Sequence, residues 1–214
     1  MRSLRSVQRV SGIILVVCVW FMGIAAQFSG LVAEAQKVGI PDPWQTIVPN
    51  LAAITLEKEG YIWRMSPQAT YLIAARVLHS QSYSDWQAHF VPLDVALGWG
   101  KVSDPAVDKW IEWWQADRWY FYQRPRNAPL SQSYIREHSA NVHVIPATQD
   151  IADALLQLKT NDMVVMEGLL VDVEGGVAGR TQRYHTSLTR SDEGDSSCEI
   201  LYVERLVMNG QEYR

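Results

Sequence analysis

The sequence predicts an α+β fold in which an N-terminal transmembrane helix precedes one antiparallel, barrel-like β domain with two or three short helices. Three observations support this prediction: an uncharged apolar run near the start, strand-like segments along most of the remaining chain, and three strands in series at the C-terminus. Strands joined in series favour an antiparallel sheet. A long strand interrupted by glycine favours curling of that sheet toward a small barrel.

The apolar run covers residues 10–33, which include no Asp, Glu, Lys, Arg or His. A helix of this length spans about 36 Å, enough to cross a hydrocarbon core of roughly 30 Å. Arg2, Arg5 and Arg9 precede the run, so residues 1–9 are predicted to stay in the cytoplasm and the rest to be exported. Ala33-Glu34-Ala35 leaves a cleaved signal peptide as the alternative, but the length of the run favours a retained anchor.

Composition predicts a globular exported domain over residues 53–214, joined to the membrane segment by a linker over residues 34–52. The chain is 48% apolar and 20% charged, as in ordinary globular proteins. Three of the 19 basic residues but none of the 23 acidic residues precede position 34. An acidic domain without Lys/Arg runs repels phosphates, so nucleic acid is not an expected partner. No pattern predicts a cofactor.

Cysteine use excludes a disulfide scaffold. Cys18 lies in the apolar run and Cys198 far from it, so no disulfide can form within the exported domain. Cys198 opens an apolar strand after a Ser-rich turn and is predicted to be buried as a small hydrophobe. The alternative is a reactive thiol that a histidine activates as a nucleophile.

The first predicted strands form a hairpin and its continuation. Residues 54–56 and 61–65 flank a Gly-containing turn, which is a hairpin signal. Residues 71–79 alternate, with Tyr71, Ile73, Ala75 and Val77 on one side of a strand. The alanine content of this segment leaves a helix as the alternative.

A helix and an aromatic strand are predicted next. Ser103-Asp104-Pro105 provides cap residues and a proline for the first turn. Val107, Trp110, Ile111 and Trp114 then recur at helical spacing as one apolar stripe. Residues 118–124 are aromatic and favour a strand.

The C-terminal half is predicted to contain two capped helices followed by three strands. Ser131 caps a short helix to His138, and Thr148 caps a second helix that turns Ile151, Leu155 and Leu158 inward. Gly168 predicts a bulge or bend within the first strand. The three strands are expected over residues 163–173, 183–189 and 198–207, with a hairpin loop over 174–179.

The most site-like segment runs from His138 to His143 and includes Asn141. A metal site is not predicted, because histidines spaced i, i+5 point to different faces of a helix, whereas metal-binding helices use i, i+4. The structural interpretation is that His138 ends a helix while Asn141 and His143 bond loop backbone. Asp94 is an acid within an apolar run and, if buried, needs a hydrogen-bond or cationic partner.

Aromatic residues are the other candidates for recognition. Trp113 lies off the apolar stripe of the predicted helix, and exposed aromatics mark interfaces and ligand grooves. The alternative is that tryptophan fills a core with few Phe residues. The candidate ligand- or partner-binding residues are Trp99, Trp113, Trp119, Tyr122, His138, Asn141 and His143.

The chain resembles a family of uncharacterised, single-pass bacterial membrane proteins. The segments that carry the resemblance are Pro92-Leu-Asp-Val-Ala-Leu-Gly-Trp-Gly100, His138-Ser-Ala-Asn-Val-His-Val-Ile-Pro-Ala147, residues 161–168, and residues 186–194 with Cys198-Glu199. The resemblance covers most of the exported domain and implies no activity. It implies a bacterial envelope setting, with the chain crossing the cytoplasmic membrane once and its C-terminal domain in the periplasm.

Two functions follow as hypotheses. The first is a non-enzymatic, membrane-anchored domain that binds a protein or envelope ligand through aromatics near Trp99 and residues 110–122. The alternative is an exported hydrolase or metal-dependent enzyme that uses His138, His143 and Asp94, with Cys198 as a further candidate. Convergence of these side chains in one cleft would favour the enzyme, and an exposed aromatic patch would favour binding.

Overall fold

The computed structural model describes residues 39–177, 180–191 and 197–214. The predicted membrane helix over residues 10–33, Cys18 and part of the predicted 174–179 loop lie outside these ranges. Within them, no helix has the length and apolar character that a membrane crossing requires. The part of the chain from Ile40 to Arg214 is one compact unit.

The described chain is mostly β-sheet with three short helices, which confirms the α+β class. Two 3₁₀ turns, Trp86–His89 and Lys101–Ser103, flank the fourth strand. The helices are α1 (Pro105–Asp108), α2 (Gln132–Glu137) and α3 (Gln149–Leu155). The strands are β1 (Trp44–Ile47), β2 (Ile54–Lys58), β3 (Tyr61–Ser82), β4 (Leu93–Gly98), β5 (Glu112–Ala116), β6 (Trp119–Gln123), β7 (Ser139–Pro146), β8 (Met163–Val177), β9 (Arg180–Tyr184), β10 (Glu199–Met208) and β11 (Gln211–Tyr213).

The pairings of the main sheet form a closed circuit through β3, β4, β7, β10 and β8, since β8 pairs with both β10 and β3. The prediction of an antiparallel sheet is wrong at one place. β7 and β10 are parallel, because the chain passes through α3, β8 and β9 before β10 runs beside β7. β1 pairs with β3 and lies within the predicted 34–52 linker.

The long strand β3 follows the predicted alternation. Tyr71, Ile73, Ala75 and Val77 are all buried, which confirms the face assigned to them. The predicted hairpin is also present, since β2 pairs antiparallel with the start of β3.

Gly168 lies opposite a register shift in the partner strand β10, whereas the sequence predicts a bulge or bend in β8 itself. Its position on β8 faces the place where the β8–β10 register shifts, between Val203 and Arg205. A Cβ at Gly168 would overlap the carbonyl oxygen of Tyr202, so the two backbones approach too closely for any side chain.

Three predicted elements require correction. The helix beginning at Pro105 ends at Asp108, and the paired tryptophans that follow belong to β5, where aromatic residues pack across a hairpin. The segment taken as a loop around Asn141 and His143 is the buried strand β7. The strand predicted over 183–189 is β9, which ends at Tyr184.

The β5–β6 hairpin forms a separate two-stranded sheet that packs over one face of β4 and β7. Trp113 and Tyr122 are opposite each other in the hairpin and pack against an apolar cluster that includes Ala96 and Ile135. The hairpin therefore shields this face of the main sheet, where the polar residues of β4 and β7 lie.

Candidate active site

The sheet register brings three chemically reactive side chains together. Asp94 on β4 lies directly opposite His143 on β7. The His143 Nδ1 and the Asp94 Oδ1 are 2.7 Å apart, within a hydrogen bond. Cys198 directly precedes β10, whose Ile200 is the parallel partner of His143. The carboxylate, the imidazole and the thiol thus come from three adjacent strands.

The pKa of His143 is set by opposing effects. Burial alone lowers it, but hydrogen bonds to Asp94 and Cys198 and the charges of these two groups outweigh burial and raise it to about 9. The ring is therefore an imidazolium at neutral pH. Because Nδ1 is bonded to Asp94, Nε2 is the nitrogen left to exchange a proton with another group.

Arg118 provides the counter-charge for the fully buried Asp94 carboxylate. Its guanidinium is 3.6 Å from the Asp94 Oδ1 and 2.7 Å from the Asp85 Oδ1. It also donates to the Val91 carbonyl oxygen and lies 4.1 Å from the centre of the Tyr83 ring. Burial and then the nearby Asp94 raise the pKa of Tyr83, so this phenol stays neutral. A buried carboxylate needs such partners to offset the cost of its burial.

The hairpin turn positions Arg118. Asp117 and Arg118 have φ values of 51° and 66°, in the left-handed region that a two-residue hairpin turn requires at both central positions. Glycine, asparagine and aspartate are the usual residues in such turns, so the strain falls on Arg118. This strained turn directs the guanidinium toward Asp94.

A row of amides lies beside the thiol. The Asn141 Nδ2 donates to the Arg118 carbonyl oxygen at 3.1 Å and lies 3.7 Å from the Cys198 Sγ. The Gln115 Nε2 donates to the Asn141 Oδ1 at 2.6 Å. The Gln115 Oε1 is 3.0 Å from the Nδ1 of His79.

A cavity of about 650 Å³ opens onto the imidazole and the thiol. It has an apolar and aromatic wall and a polar rim, as ligand pockets commonly do. The wall comprises Phe90, Val91, Trp119, Tyr184 and Ile200, and the rim includes Asp85, Gln87, Asp117, Arg118, Arg183 and His185.

The structure separates the two histidines of the site-like segment. His143 bonds Asp94 and Asn141 lies beside Cys198, whereas His138 stacks on Tyr134 with ring centroids 3.8 Å apart. His138 lines a second cavity of about 540 Å³ together with Trp99. Trp99 is fully buried and donates to Asp42, so it forms no exposed aromatic surface.

The remaining aromatic candidates belong to the hairpin. Trp119 lines the cavity beside Cys198. Trp113 and Tyr122 pack inward, so the prediction that Trp113 points away from the core is wrong. On a strand, the neighbour Trp114 points outward instead, and it is 41% exposed.

Sequence reasoning missed Arg118, Gln115 and the strand that holds Asn141 and His143. A usable signal was present: Ser139, Asn141 and His143 alternate with Ala140, Val142 and Val144, the period of a strand with one polar face. That face is buried here because the hairpin covers it.

No family model, curated protein or solved structure matches the chain. Among the described residues, no group of three or more His, Cys, Asp and Glu side chains is placed to hold a metal ion.

Proposed function

We propose that this chain is a thiol-dependent hydrolase or acyl transferase in which Cys198 is the nucleophile, His143 the acid–base and Asp94 the group that orients it. One observation carries the proposal. A fully buried Asp94 bonds the Nδ1 of His143 at 2.7 Å, beside a cavity that Cys198 also lines. A nucleophile, a base and a third group that orients the base form the arrangement of covalent acyl-transfer catalysis.

The chemistry follows from the charged state of His143. The attacking form of Cys198 is the thiolate, which the neighbouring imidazolium of His143 stabilises. The sulfur attacks the carbonyl carbon of an ester, thioester or amide. The tetrahedral intermediate collapses to a thioester as the leaving group takes the proton from the His143 Nε2. His143 then removes a proton from water, whose oxygen attacks the thioester carbonyl, and the acid and the thiolate are released.

The cavity wall favours a substrate with an apolar acyl group. Phe90, Val91 and Ile200 provide aliphatic and aromatic surface next to the reactive groups, and Trp119 and Tyr184 extend it. Asp85 and Asp94 already balance the charges of Arg118 and His143. We therefore propose a neutral, apolar acyl donor as the substrate class.

The setting we propose is the outer face of a bacterial cytoplasmic membrane. Residues 10–33 would anchor the chain, and the acidic domain would meet substrates or partner proteins of the cell envelope. The closed circuit of strand pairings supports a barrel-like form for the sheet in this domain.

The test uses the full chain purified in detergent with p-nitrophenyl acetate as substrate. We expect Cys198→Ala to lower hydrolysis at least about 100-fold, because the covalent route is lost. Cys18→Ala is the matched control and should leave the rate unchanged. Brief incubation should also leave an acetyl group on the Cys198 peptide, seen by mass spectrometry. Equal rates for Cys198→Ala and the unmodified chain would refute the proposal.

A second candidate function is the non-enzymatic binding of an envelope protein. The observation that favours it is an exposed, stacked pair on the outside of the hairpin, Trp114 and Phe121, with ring centroids 5.7 Å apart. These side chains are 41% and 42% exposed. Exposed aromatics of this kind act as anchors of binding surfaces. If binding is the function, replacing both with alanine should abolish crosslinking to a partner in whole membranes, whereas Cys198→Ala should not.

A further inference from the structure

We infer that Asn141 is the donor that stabilises the charged sulfur of Cys198, and that Gln115 and His79 are positioning residues that fix the orientation of its amide. This inference rests on the proposed thiol chemistry. It adds to the thiol a second polar contact besides that with His143, and it assigns a role to the β5–β6 hairpin.

The orientation of the Asn141 amide follows from its partners. The Arg118 carbonyl oxygen can only accept, so the Asn141 atom 3.1 Å from it must be the nitrogen. The same nitrogen is 3.7 Å from the Cys198 Sγ. An amide nitrogen has two hydrogens, so it donates to the carbonyl and to the sulfur at once. Asn141 is 1% exposed, and water does not compete for these bonds.

Gln115 locks this orientation from the other side. Its Nε2 donates to the Asn141 Oδ1 at 2.6 Å, which leaves its Oε1 toward His79. An oxygen only accepts, so the His79 Nδ1, 3.0 Å away, must carry the proton. The donors therefore run in one direction, from His79 through Gln115 and Asn141 to the Cys198 sulfur. Reversal of either amide would place oxygen against oxygen.

The fold makes a specific local change to place His79 in this row. Leu78 packs in the apolar cluster under the hairpin, and the next residue, His79, bonds Gln115 of the same hairpin. Regular alternation would send consecutive residues to opposite faces of β3. The register shift between Val77 and His79 in the β3–β4 pairing lets both face the hairpin.

The row of donors ends at the Cys198 sulfur, which is a weak acceptor unless it is charged. A neutral thiol gains little from an N–H donor, whereas hydrogen bonds to a charged atom are about twice as strong as neutral ones. Removal of the donor should therefore slow the alkylation of Cys198, because the anionic sulfur that reacts is less stabilised. The stability of the sheet should be affected less.

The test measures the alkylation rate of Cys198 by iodoacetamide in the full chain, with the Cys198 peptide quantified by mass spectrometry. Gln115→Glu is nearly isosteric but replaces the donor to Asn141 with an acceptor, and we expect the rate to fall about 10-fold or more. Gln45→Glu is the matched control. It removes an amide donor from a bond to the Leu188 carbonyl oxygen, away from the thiol, and should leave the rate unchanged.

A second position provides an independent readout. His79→Phe removes the first donor of the row and should slow alkylation about threefold, because Asn141 loses part of its restraint. His79→Gln keeps an N–H donor and should restore the rate. If Gln115→Glu does not fold, the comparison of His79→Phe with His79→Gln tests the inference.

The outcomes separate the two proposals. If Cys198 in the folded chain reacts no faster than in the same chain unfolded in urea, both the proposed thiol chemistry and this inference are wrong. If the folded chain reacts fast and Gln115→Glu and His79→Phe keep its rate, only the inference is overturned. Equal slowing by Gln45→Glu would likewise overturn it, since the effect would not be specific to the row.

Discussion

Two histidines five positions apart, His143 and His138, each lie beside an aspartate, and the two pairs are unlike. His143 bonds Asp94 at 2.7 Å, and the Asp94 carboxylate is fully buried. His138 is 3.9 Å from Asp42, whose side chain is 79% exposed. His143 and Asp94 thus form a tight, enclosed ion pair, whereas His138 and Asp42 form a loose pair at the surface.

Distance and burial together decide what each pair can do. The energy of two charges falls with separation and with the dielectric around them, so an exposed carboxylate almost 4 Å away contributes little. The enclosed pair holds a proton on His143 near pH 9 despite the cost of burial. In the enclosed pair, strand register forces the contact that keeps the His143 imidazole charged.

The largest expected effect breaks the enclosed pair. Asp94→Asn should lower p-nitrophenyl acetate hydrolysis at least about 100-fold, because an amide can hold His143 in the wrong tautomer and does not stabilise its cation. Asp42→Asn, the same change at the loose pair, should leave the rate unchanged. Comparable losses of hydrolysis from Asp94→Asn and Asp42→Asn would contradict the different roles assigned to the two pairs.

The next effect concerns pH and stability. The folded pKa of His143, about 9, lies above its ordinary value of 6.5. The pair therefore stabilises the fold fully below pH 6.5 and loses this contribution as pH rises through 9. Urea unfolding followed by tryptophan fluorescence should show a fall of up to about 3 kcal/mol across this window.

Two histidine variants identify the group that causes this pH dependence of stability. His143→Gln should remove the pH-dependent part of the unfolding free energy between pH 6.5 and 9. His138→Gln should keep it. A pH dependence that survives in His143→Gln would assign the titration to another group.

The smallest expected effect lies at the loose pair. His138→Ala should cost about 1 kcal/mol of unfolding free energy, because it removes a ring stacked on Tyr134 and a 2.9 Å contact with the Tyr134 carbonyl oxygen. Hydrolysis should stay at the level of the unmodified chain. A loss of hydrolysis in His138→Ala would show that the cavity lined by His138 also contributes to the activity.

Much of the fold was predictable from local signals. The alternation of Tyr71 to Val77 and the cap at Ser131 each specify their structure through neighbours in sequence. The helix expected through Trp114 was wrong: the segment is a strand in which Trp113 packs inward, while Trp114, a member of the predicted stripe, points outward. Tertiary packing against the sheet decides between the two.

The candidate site was predictable only in part. Asp94, Asn141, His143 and Cys198 were each singled out by residue type, yet their convergence depends on register between strands far apart in sequence. Asp94 and His143 are 49 positions apart, and Asn141 and Cys198 are 57 apart. No local pattern encodes such a register. Arg118 was missed because a turn residue with positive φ gives no sign of the carboxylate it will reach.

The parallel pairing of β7 with β10 also sets the order in which the molecule acquires reactivity. Contacts between distant segments form late in folding, since the intervening loop must close first. Cys198 therefore meets its base and its amide donor only after α3, β8 and β9 have been made and β10 has docked. The proposed acylation of Cys198 therefore requires the completed sheet.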